Sequence, residues 1–392
     1  MVFHCPFLLW NALSLRSAQS CFIFAEPCRH AFMKGCVYMS IEKLKYMLRE
    51  RDAAALIMSE DNVRYFTSFS STNGYLLVTG ENAFFLTDSR YIEAARKTIK
   101  TVDGVLLFEN FKKSLVPLVN ELSIKTLSVE GARTTVKRLN ELKKELLSVD
   151  FETEKLDGEI DLLRAVKSEE ECRRIIEAQR IAEKALEMLL PKIRVGAVER
   201  ELSLELDYTM LKLGAQALSF ETIAVSGKNG SMPHGIPGDK KIESGDFITF
   251  DFGAVYKDYH SDMTRTFAVG AVSDKQRDVY ETVLRAQKTA IDAVCAGKKC
   301  SDIDKVARDI IAEKGYGEYF GHGLGHGVGV EIHEFPSVSP RSSTVLEAGN
   351  IITIEPGIYI PGEFGVRIED MLYVTEDGFI NLTECPKDLL IL

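Results

Sequence analysis

Two aspartates stand inside stretches that otherwise have the composition of buried β-strands. The run DFITFDFG contains Asp251, and the run DMTRTFAV begins with Asp262. Side chains alternate between the two faces of a strand, so each aspartate has a defined face. If the two runs form a hairpin centred between Tyr256 and Lys257, Asp251 and Asp262 lie opposite each other.

Such a pair of carboxylates needs a physical reason. Like charges directly opposed in a sheet repel each other. A buried carboxylate without a partner costs several kcal/mol or takes up a proton. A cation between Asp251 and Asp262 removes the conflict, so the pair raises the hypothesis of a metal site. The alternative is that each aspartate lies at a sheet edge or bonds to a turn.

Three further stretches of the same half add metal-binding side chains. IITIEPG places Glu355 in an apolar run, and GVRIEDMLYV places Glu369 two residues after Arg367. The glycine-rich segment GHGLGHGVGVEIHEF carries three histidines, and its glycines allow close backbone approach. These histidines are His322, His326 and His333. Four carboxylates and one imidazole suit Mn²⁺, Co²⁺, Fe²⁺ or Zn²⁺, and two divalent ions would balance the four negative charges.

The length of 392 residues and the changing pattern predict two domains after an extension. Residues 39–160 alternate between strand-like and helical runs, which predicts a mixed α/β domain. Residues 161–392 begin with two helical runs and then turn largely to strands, which predicts an α+β domain with a substantially antiparallel sheet. Residues 1–38 differ from both, because they hold four of the eight cysteines and the single tryptophan. We interpret them as an unstructured or non-native extension.

The net charge of −10 argues against nucleic acid or an anionic membrane as the main partner. Beyond residue 38 the cysteines are scattered without a CxxC pair, which predicts free thiols in a reducing compartment. We therefore expect a cytoplasmic protein. Neither the apolar run near FLLW nor any later segment is long and apolar enough to predict a membrane span.

The candidate metal residues resemble a known set in order and context. Asp251, Asp262, His326, Glu355 and Glu369 resemble the Asp-Asp-His-Glu-Glu ligand set of the pita-bread metallopeptidases. The similar motifs are SMPHGIP, FDFG, SDMTRTF, GHGLGHGVGVEIHE, TIEPGIY and VRIED. This family includes methionine aminopeptidases, Xaa-Pro aminopeptidases, Xaa-Pro dipeptidases and creatinases. The resemblance implies a creatinase-like N-terminal α/β domain followed by a pita-bread α+β catalytic domain.

The resemblance also implies roles for individual residues. Glu355 would bind metal and take a proton from the attacking water. The cofactors would be two divalent ions, with Mn²⁺ as the preferred metal. His234 in SMPHGIP and His333 would contact the substrate carbonyl and stabilise the oxyanion. His322 would line the proline side of the pocket, and Arg367 would orient a ligand carboxylate.

One departure from the family pattern occurs at Asp258-Tyr259-His260, just before SDMTRT. We interpret His260 as a partly exposed turn residue outside the site.

The implied activity is that of an Xaa-Pro aminopeptidase acting on peptides with proline at the second position. Two alternatives within the family are an Xaa-Pro dipeptidase and a non-catalytic relative that binds a protein partner. A third is metal-independent hydrolysis of a small guanidino compound, as in creatinase. A homodimer is expected from the resemblance alone. The sequence leaves open the native metal and the residue preferred before proline.

Overall fold

The computed structural model describes residues 35–392, with side chains from Ser40 onward. The predicted extension therefore lies outside the described residues, apart from the backbone of its last four positions. The domain boundary predicted at residue 160 falls within the helix Leu156–Ala165 and stays a prediction. Among the described residues, no helix is both long and apolar enough to cross a membrane.

The N-terminal half contains one six-stranded sheet with helices on both faces. Its helices are α1 (Gly35–Glu50), α2 (Glu60–Thr67), α3 (Ile92–Thr98), α4 (Val116–Glu121), α5 (Val136–Glu145) and α6 (Leu156–Ala165). Its strands are β1 (Ala54–Ile57), β2 (Gly74–Val78), β3 (Ala83–Thr87), β4 (Gly104–Leu107), β5 (Thr126–Val129) and β6 (Asp150–Glu152). The strand order is β4-β3-β2-β1-β5-β6, with β1–β5, β3–β4 and β5–β6 parallel.

Alternating residues of this sheet enter two separate cores, as expected for a sheet buried on both faces. Ala55 and Ile57 of β1 pack with Leu44 and Leu48 of α1 on one face. Leu56 packs on the other face, in the core that contains residues of α4 and α5. The structure confirms the α/β character that the alternating pattern predicts for this half.

The C-terminal half contains four long helices and antiparallel sheets. Its helices are α7 (Glu169–Leu189), α8 (Glu199–Lys212), α9 (Asp274–Asp292) and α10 (Cys300–Glu313). The first strands are β7 (Ala217–Leu218), β8 (Ile223–Ser226), β9 (Phe247–Phe252), β10 (Ala254–Tyr256), β11 (Tyr259–His260) and β12 (Met263–Ala268). The remaining strands are β13 (Gly325–Gly327), β14 (Glu334–Val338), β15 (Ile351–Ile354), β16 (Gly357–Ile360), β17 (Phe364–Arg367), β18 (Asp370–Val374) and β19 (Phe379–Asn381).

Two of these sheets position the candidate site. One has the order β12-β9-β8 and the other the order β14-β13-β15-β18-β19, with every neighbouring pair antiparallel. A capping box starts α7, because Ser168 and Glu171 each bond the other's backbone N–H.

The hairpin that carries the two aspartates has a different register from the predicted one. Asp251 lies opposite Thr264, not opposite Asp262. Lys257 and Asp258 form a two-residue turn, with positive φ angles of 46° and 69° at both positions. A two-residue turn with positive φ at both positions favours Asn-Gly, so the sequence Lys-Asp does not predict it. The shift is two residues, so both aspartates keep the face assigned to them.

A buried ionic cluster joins the two halves. The Arg164 guanidinium of α6 bonds Glu334, and Lys167 Nζ lies 3.0 Å from the second Glu334 oxygen. Arg164 also lies 2.8 Å from Glu331, which accepts two hydrogen bonds from Arg133. The Glu334 side chain is only 3% exposed. The cluster therefore fixes the segment that contains His333 against the N-terminal half.

We predict that Arg164→Ala lowers the free energy of unfolding by about 3–5 kcal/mol, because removing one partner leaves the Glu334 charge buried and undercompensated. Urea denaturation followed by circular dichroism measures the change. The control is Arg173→Ala on α7, whose ion pairs with Glu169 and Glu170 are exposed, with an expected change within about 0.5 kcal/mol. Equal urea midpoints for Arg164→Ala and the wild type would contradict the prediction.

Candidate metal centre

The five predicted ligand residues come from five separate segments. Asp251 lies in β9, His326 lies in β13, and Asp262 immediately precedes β12. Glu355 immediately follows β15, and Glu369 lies between β17 and β18. The sheets thus bring together side chains that are up to 118 positions apart in the sequence, from 251 to 369.

The backbone of β13 approaches its neighbour closely at Gly325. A Cβ atom at this position would lie 2.0 Å from the Thr353 carbonyl oxygen of β15. Only glycine allows this approach. The close backbone approach agrees with the glycine-rich sequence, and it places His326 beside Glu355.

His326 presents a lone pair to two carboxylates. Its Nδ1 lies 3.0 Å from the Gly327 carbonyl oxygen and therefore carries the proton. Its Nε2 then has no hydrogen, although it lies 3.5 Å from Asp262 Oδ2 and 3.4 Å from Glu355 Oε1. One ligand atom each from Asp262, His326 and Glu369 lie within 4.8 Å of one another. Several acceptors thus face one another without a donor between them.

Three carboxylates each leave one buried oxygen without a partner, and two of them have the other oxygen in a hydrogen bond. Asp251 Oδ2 accepts a hydrogen bond from Arg367 Nη2 at 2.5 Å, and Glu369 Oε2 accepts one from the Thr264 hydroxyl at 2.8 Å. Asp251 Oδ1, Asp262 Oδ1 and Glu369 Oε1 are buried and have no hydrogen-bond partner among the described residues. Buried polar atoms are normally paired. These unpaired oxygens are potential ligand atoms, and the set fits a divalent cation.

Burial makes the charged forms of these groups costly in the absence of a cation. Burial and the neighbouring carboxylates raise the pKa of Asp262 and of Glu369 well above their usual values. Burial raises the pKa of Glu355 to about 8 and lowers that of His326 to about 4. A bound cation reverses this preference for the carboxylates, because it stabilises their ionised forms.

One cavity of about 530 Å³ contains all the site residues predicted from the sequence. The residues that line it include Asp251, Asp262, His326, Glu355, Glu369, His234, His333, His322 and Arg367. His234 and His333 are exposed to this cavity. The His333 ring stands edge-on to the His326 ring, with 4.3 Å between the centroids.

His322 has both ring nitrogens occupied. Its Nδ1 lies 2.8 Å from the Gly323 carbonyl oxygen, and its Nε2 lies 3.0 Å from the Tyr359 hydroxyl. Arg367 Nη1 donates to the same hydroxyl at 2.7 Å. Burial lowers the pKa of His322 to about 4, so the ring is neutral at pH 7. It can offer a substrate its apolar ring surface.

Several contributing residues are not among those predicted from the sequence. Thr264 bonds both Glu369 and Arg367, and its place on the Asp262 face of the strand pattern could have revealed it. Tyr359 contacts Arg367 because the β16–β17 hairpin pairs Tyr359 with Gly365. The sequence does not predict this register. Phe220 and Ile223 line the cavity wall but read as ordinary strand residues.

His260 is partly exposed, as predicted, but the prediction that it lies in a turn is wrong. It lies in β11, and its backbone N–H bonds the Gly329 carbonyl oxygen at 2.9 Å. Burial lowers the pKa of its ring to about 4. It is absent from the lining of the cavity, so its exclusion from the candidate site stands.

Comparison with known proteins adds the family. Residues 173–376 match Metallopeptidase family M24, and residues 41–166 match the Creatinase/Prolidase N-terminal domain. A creatinase-type domain followed by this catalytic half defines a metal-dependent peptidase with the pita-bread fold. The chain belongs to metallopeptidase family M24. The fold and the family expected from the resemblance are therefore confirmed, and the family implies divalent metal ions.

Three relatives are similar over nearly their whole length. An Xaa-Pro dipeptidase of Pyrococcus horikoshii is 41% identical over 355 residues, which cover 89% of this chain and 99% of the relative. The structure of an Xaa-Pro dipeptidase from Bacillus anthracis has a TM-score of 0.87 and 41% identity, covering 91% of this chain and 100% of its own. An X-Pro aminopeptidase from Thermotoga maritima has a TM-score of 0.81 and 36% identity, with coverage of 87% and 97%.

We predict that Mn²⁺ raises the thermal midpoint of the protein by several degrees, because an ion that binds only the folded state stabilises it by mass action. Glu369→Gln should reduce this increase, since it replaces an oxygen without a partner by an amide. Differential scanning fluorimetry with and without Mn²⁺ measures both effects. The control is Glu363→Gln, which removes an exposed ion pair with Lys275 and should leave the increase unchanged. An equal increase in the Glu369→Gln and wild-type proteins would argue against this location.

Proposed function

We propose that the chain is an Xaa-Pro dipeptidase, which hydrolyses the peptide bond before the proline of a dipeptide. The observation that carries the metal-dependent hydrolysis is the convergence of five candidate ligands and four candidate substrate residues on one cavity. Relatives named Xaa-Pro dipeptidase span nearly the whole chain and favour this reading over the Xaa-Pro aminopeptidase expected first. The aminopeptidase remains the second candidate, because the Thermotoga maritima structure is also similar.

The proposed ligands are Asp251, Asp262, His326, Glu355 and Glu369. Four carboxylates balance two divalent ions, and the oxygen-rich set favours Mn²⁺, with Co²⁺, Zn²⁺ and Fe²⁺ as alternatives. When bound, such a pair supplies Lewis acidity and lowers the pKa of a water molecule. Arg367 and Thr264 support the set, because each holds one carboxylate oxygen and leaves the other free to bind.

Glu355 is the proposed general base. Its carboxylate lines the cavity, and Glu355 Oε1 lies 3.5 Å from the Thr353 hydroxyl, which helps to fix its orientation. A carboxylate at this position can take the proton of the attacking water and return it to the leaving proline nitrogen.

His234 and His333 are the proposed donors to the substrate carbonyl oxygen. They reach the cavity from different segments and remain exposed to it, so their ring N–H groups are available to a substrate. Donors aimed at the developing oxyanion lower the barrier more than donors aimed at the ground state. His322 has no free ring nitrogen, which suits it to apolar contact with the proline ring.

A non-catalytic binding role and a metal-independent hydrolysis are less well supported. A non-catalytic relative has no use for a complete ligand set with unpaired buried oxygens. Metal-independent hydrolysis of a guanidino compound leaves the same oxygens unexplained. The homodimer and the cytoplasmic location stay predictions from the sequence.

We predict that Ala-Pro is hydrolysed with a kcat/KM at least about tenfold higher than Ala-Pro-Ala, because the terminal carboxylate of the tripeptide lies one residue beyond its position in the dipeptide and loses the hydrogen bonds made there. Initial rates on both peptides, each with and without Mn²⁺, make the comparison. A preference for the tripeptide would establish the aminopeptidase instead. Full activity of the chelated protein would exclude both metal-dependent candidates.

We predict that Glu355→Gln lowers kcat on Ala-Pro at least about 100-fold, because the amide cannot take a proton. Assays at saturating Mn²⁺, with bound metal measured in parallel, separate proton transfer from metal loss. The matched control is again Glu363→Gln, for which wild-type turnover is expected. Turnover of Glu355→Gln near the wild-type rate would remove this residue from the mechanism.

A further inference from the structure

A buried carboxylate at the start of α8 has no part in the proposed mechanism. Glu199 is completely buried and does not line the cavity. A buried carboxylate is costly unless several donors surround it. The donors around Glu199 therefore indicate what it does.

Four donor groups reach the two oxygens of Glu199. Oε1 accepts from the Ser226 backbone N–H at 2.6 Å and from the Ser226 hydroxyl at 2.8 Å. Oε2 accepts from Asn229 Nδ2 at 3.0 Å and from the Gly238 backbone N–H at 3.2 Å. Ser226 precedes residues 227–237, and Gly238 follows them. We call residues 227–237 the His234 loop, and Glu199 joins its two ends.

The backbone of α8 reinforces this closure. The N–H of Glu199 bonds the Lys240 carbonyl oxygen at 3.1 Å, and the N–H of Arg200 bonds the Gly238 carbonyl oxygen at 3.0 Å. Lys240 Nζ donates to the Ser226 hydroxyl at 3.0 Å. The Ser226 hydroxyl therefore links the Lys240 ammonium group to the Glu199 carboxylate. The base of the loop is thus a continuous hydrogen-bonded unit.

Beyond its base the loop has few side-chain anchors. Met232 is 51% and Ile236 is 81% exposed, so these apolar side chains do not hold the loop. On the cavity side, Arg367 Nη1 donates to the Pro233 carbonyl oxygen at 3.3 Å. The backbone also packs against Gly365, where a Cβ atom would lie 2.0 Å from the Gly230 carbonyl oxygen. The position of His234 therefore depends strongly on the closed base.

We propose that Glu199 is a positioning residue that closes the base of the His234 loop and so places the His234 ring over the reacting carbonyl. The proposal rests on the role given to His234 in the proposed function. Glu199→Gln tests it, because the amide keeps the shape but turns an NH₂ group toward hydrogen-bond donors.

Hydrogen exchange tests the closure independently of activity. Backbone amides of residues 227–237 should exchange at least about tenfold faster in Glu199→Gln, whereas amides near the Lys257–Asp258 turn should not change. Unchanged protection of the His234 loop would overturn the proposal. Because this readout needs no substrate, it stands even if the wild-type protein fails to cleave Ala-Pro, a result that would reject the proposed function alone.

Kinetics on Ala-Pro test the consequence. Glu199→Gln should lower kcat/KM by about 10- to 100-fold, as expected when a reacting group is displaced by a fraction of an ångström. In the His234→Ala background the same substitution should change kcat/KM less than about twofold, because coupled residues are not additive. The same loss in both backgrounds would overturn the proposal, since Glu199 would then act through something other than His234.

Control variants distinguish positioning from general damage. Glu205→Gln on the same helix removes an exposed ion pair with Lys192 and should keep wild-type kcat/KM and exchange. Mn²⁺ affinity of Glu199→Gln should stay at the wild-type value, and a matching loss of affinity would overturn the proposal. If Glu199→Gln fails to fold, Asn229→Ala removes one donor from the loop side. It should show a smaller change in the same direction, and no change would count against the proposal.

Discussion

The unpaired oxygens of Asp251, Asp262 and Glu369 are the constraint on which the rest of the catalytic half depends. Within the part of the chain that the structure describes, these buried atoms have no hydrogen-bond partner. The second oxygen of Asp251 and of Glu369 is held by a donor, and the Nε2 lone pair of His326 points into the same space. A bound cation compensates these converging acceptors without requiring the carboxylates to take up protons.

The architecture holds these acceptors together against their repulsion. Antiparallel sheets fix the backbones, and Arg367 connects the Asp251 carboxylate to Tyr359, which in turn contacts His322. The ionic cluster around Glu334 fixes the segment of His333 from the N-terminal half. The histidines proposed to face the substrate, His234 and His333, therefore lie on segments that are fixed by buried charges. This arrangement is the preorganisation that electrostatic stabilisation of a transition state requires.

Much of this site could be predicted from the sequence, because carboxylates in apolar strand runs stand out against their neighbours. The five candidate ligands and the four candidate substrate residues, whose roles the family resemblance implies, all line one cavity. The hairpin register could not be predicted, since Lys257 and Asp258 adopt positive φ without a glycine or asparagine. The turn assignment of His260 is wrong because the residue lies in β11, whose backbone also bonds Gly329, a non-local contact. The role of Glu199 also depends on hydrogen-bond donors that are distant in the sequence. From helix periodicity alone, Glu199 is only an acidic residue in the first turn of α8.

The most direct test of the account is a crystal structure of the protein grown with Mn²⁺, with diffraction measured at the manganese absorption edge. The account predicts two anomalous peaks in the cavity, each within bonding distance of oxygens from the set Asp251, Asp262, Glu355 and Glu369, with His326 Nε2 bound to one of them. Peaks elsewhere on the molecule, with the three buried oxygens still unpaired, would contradict it.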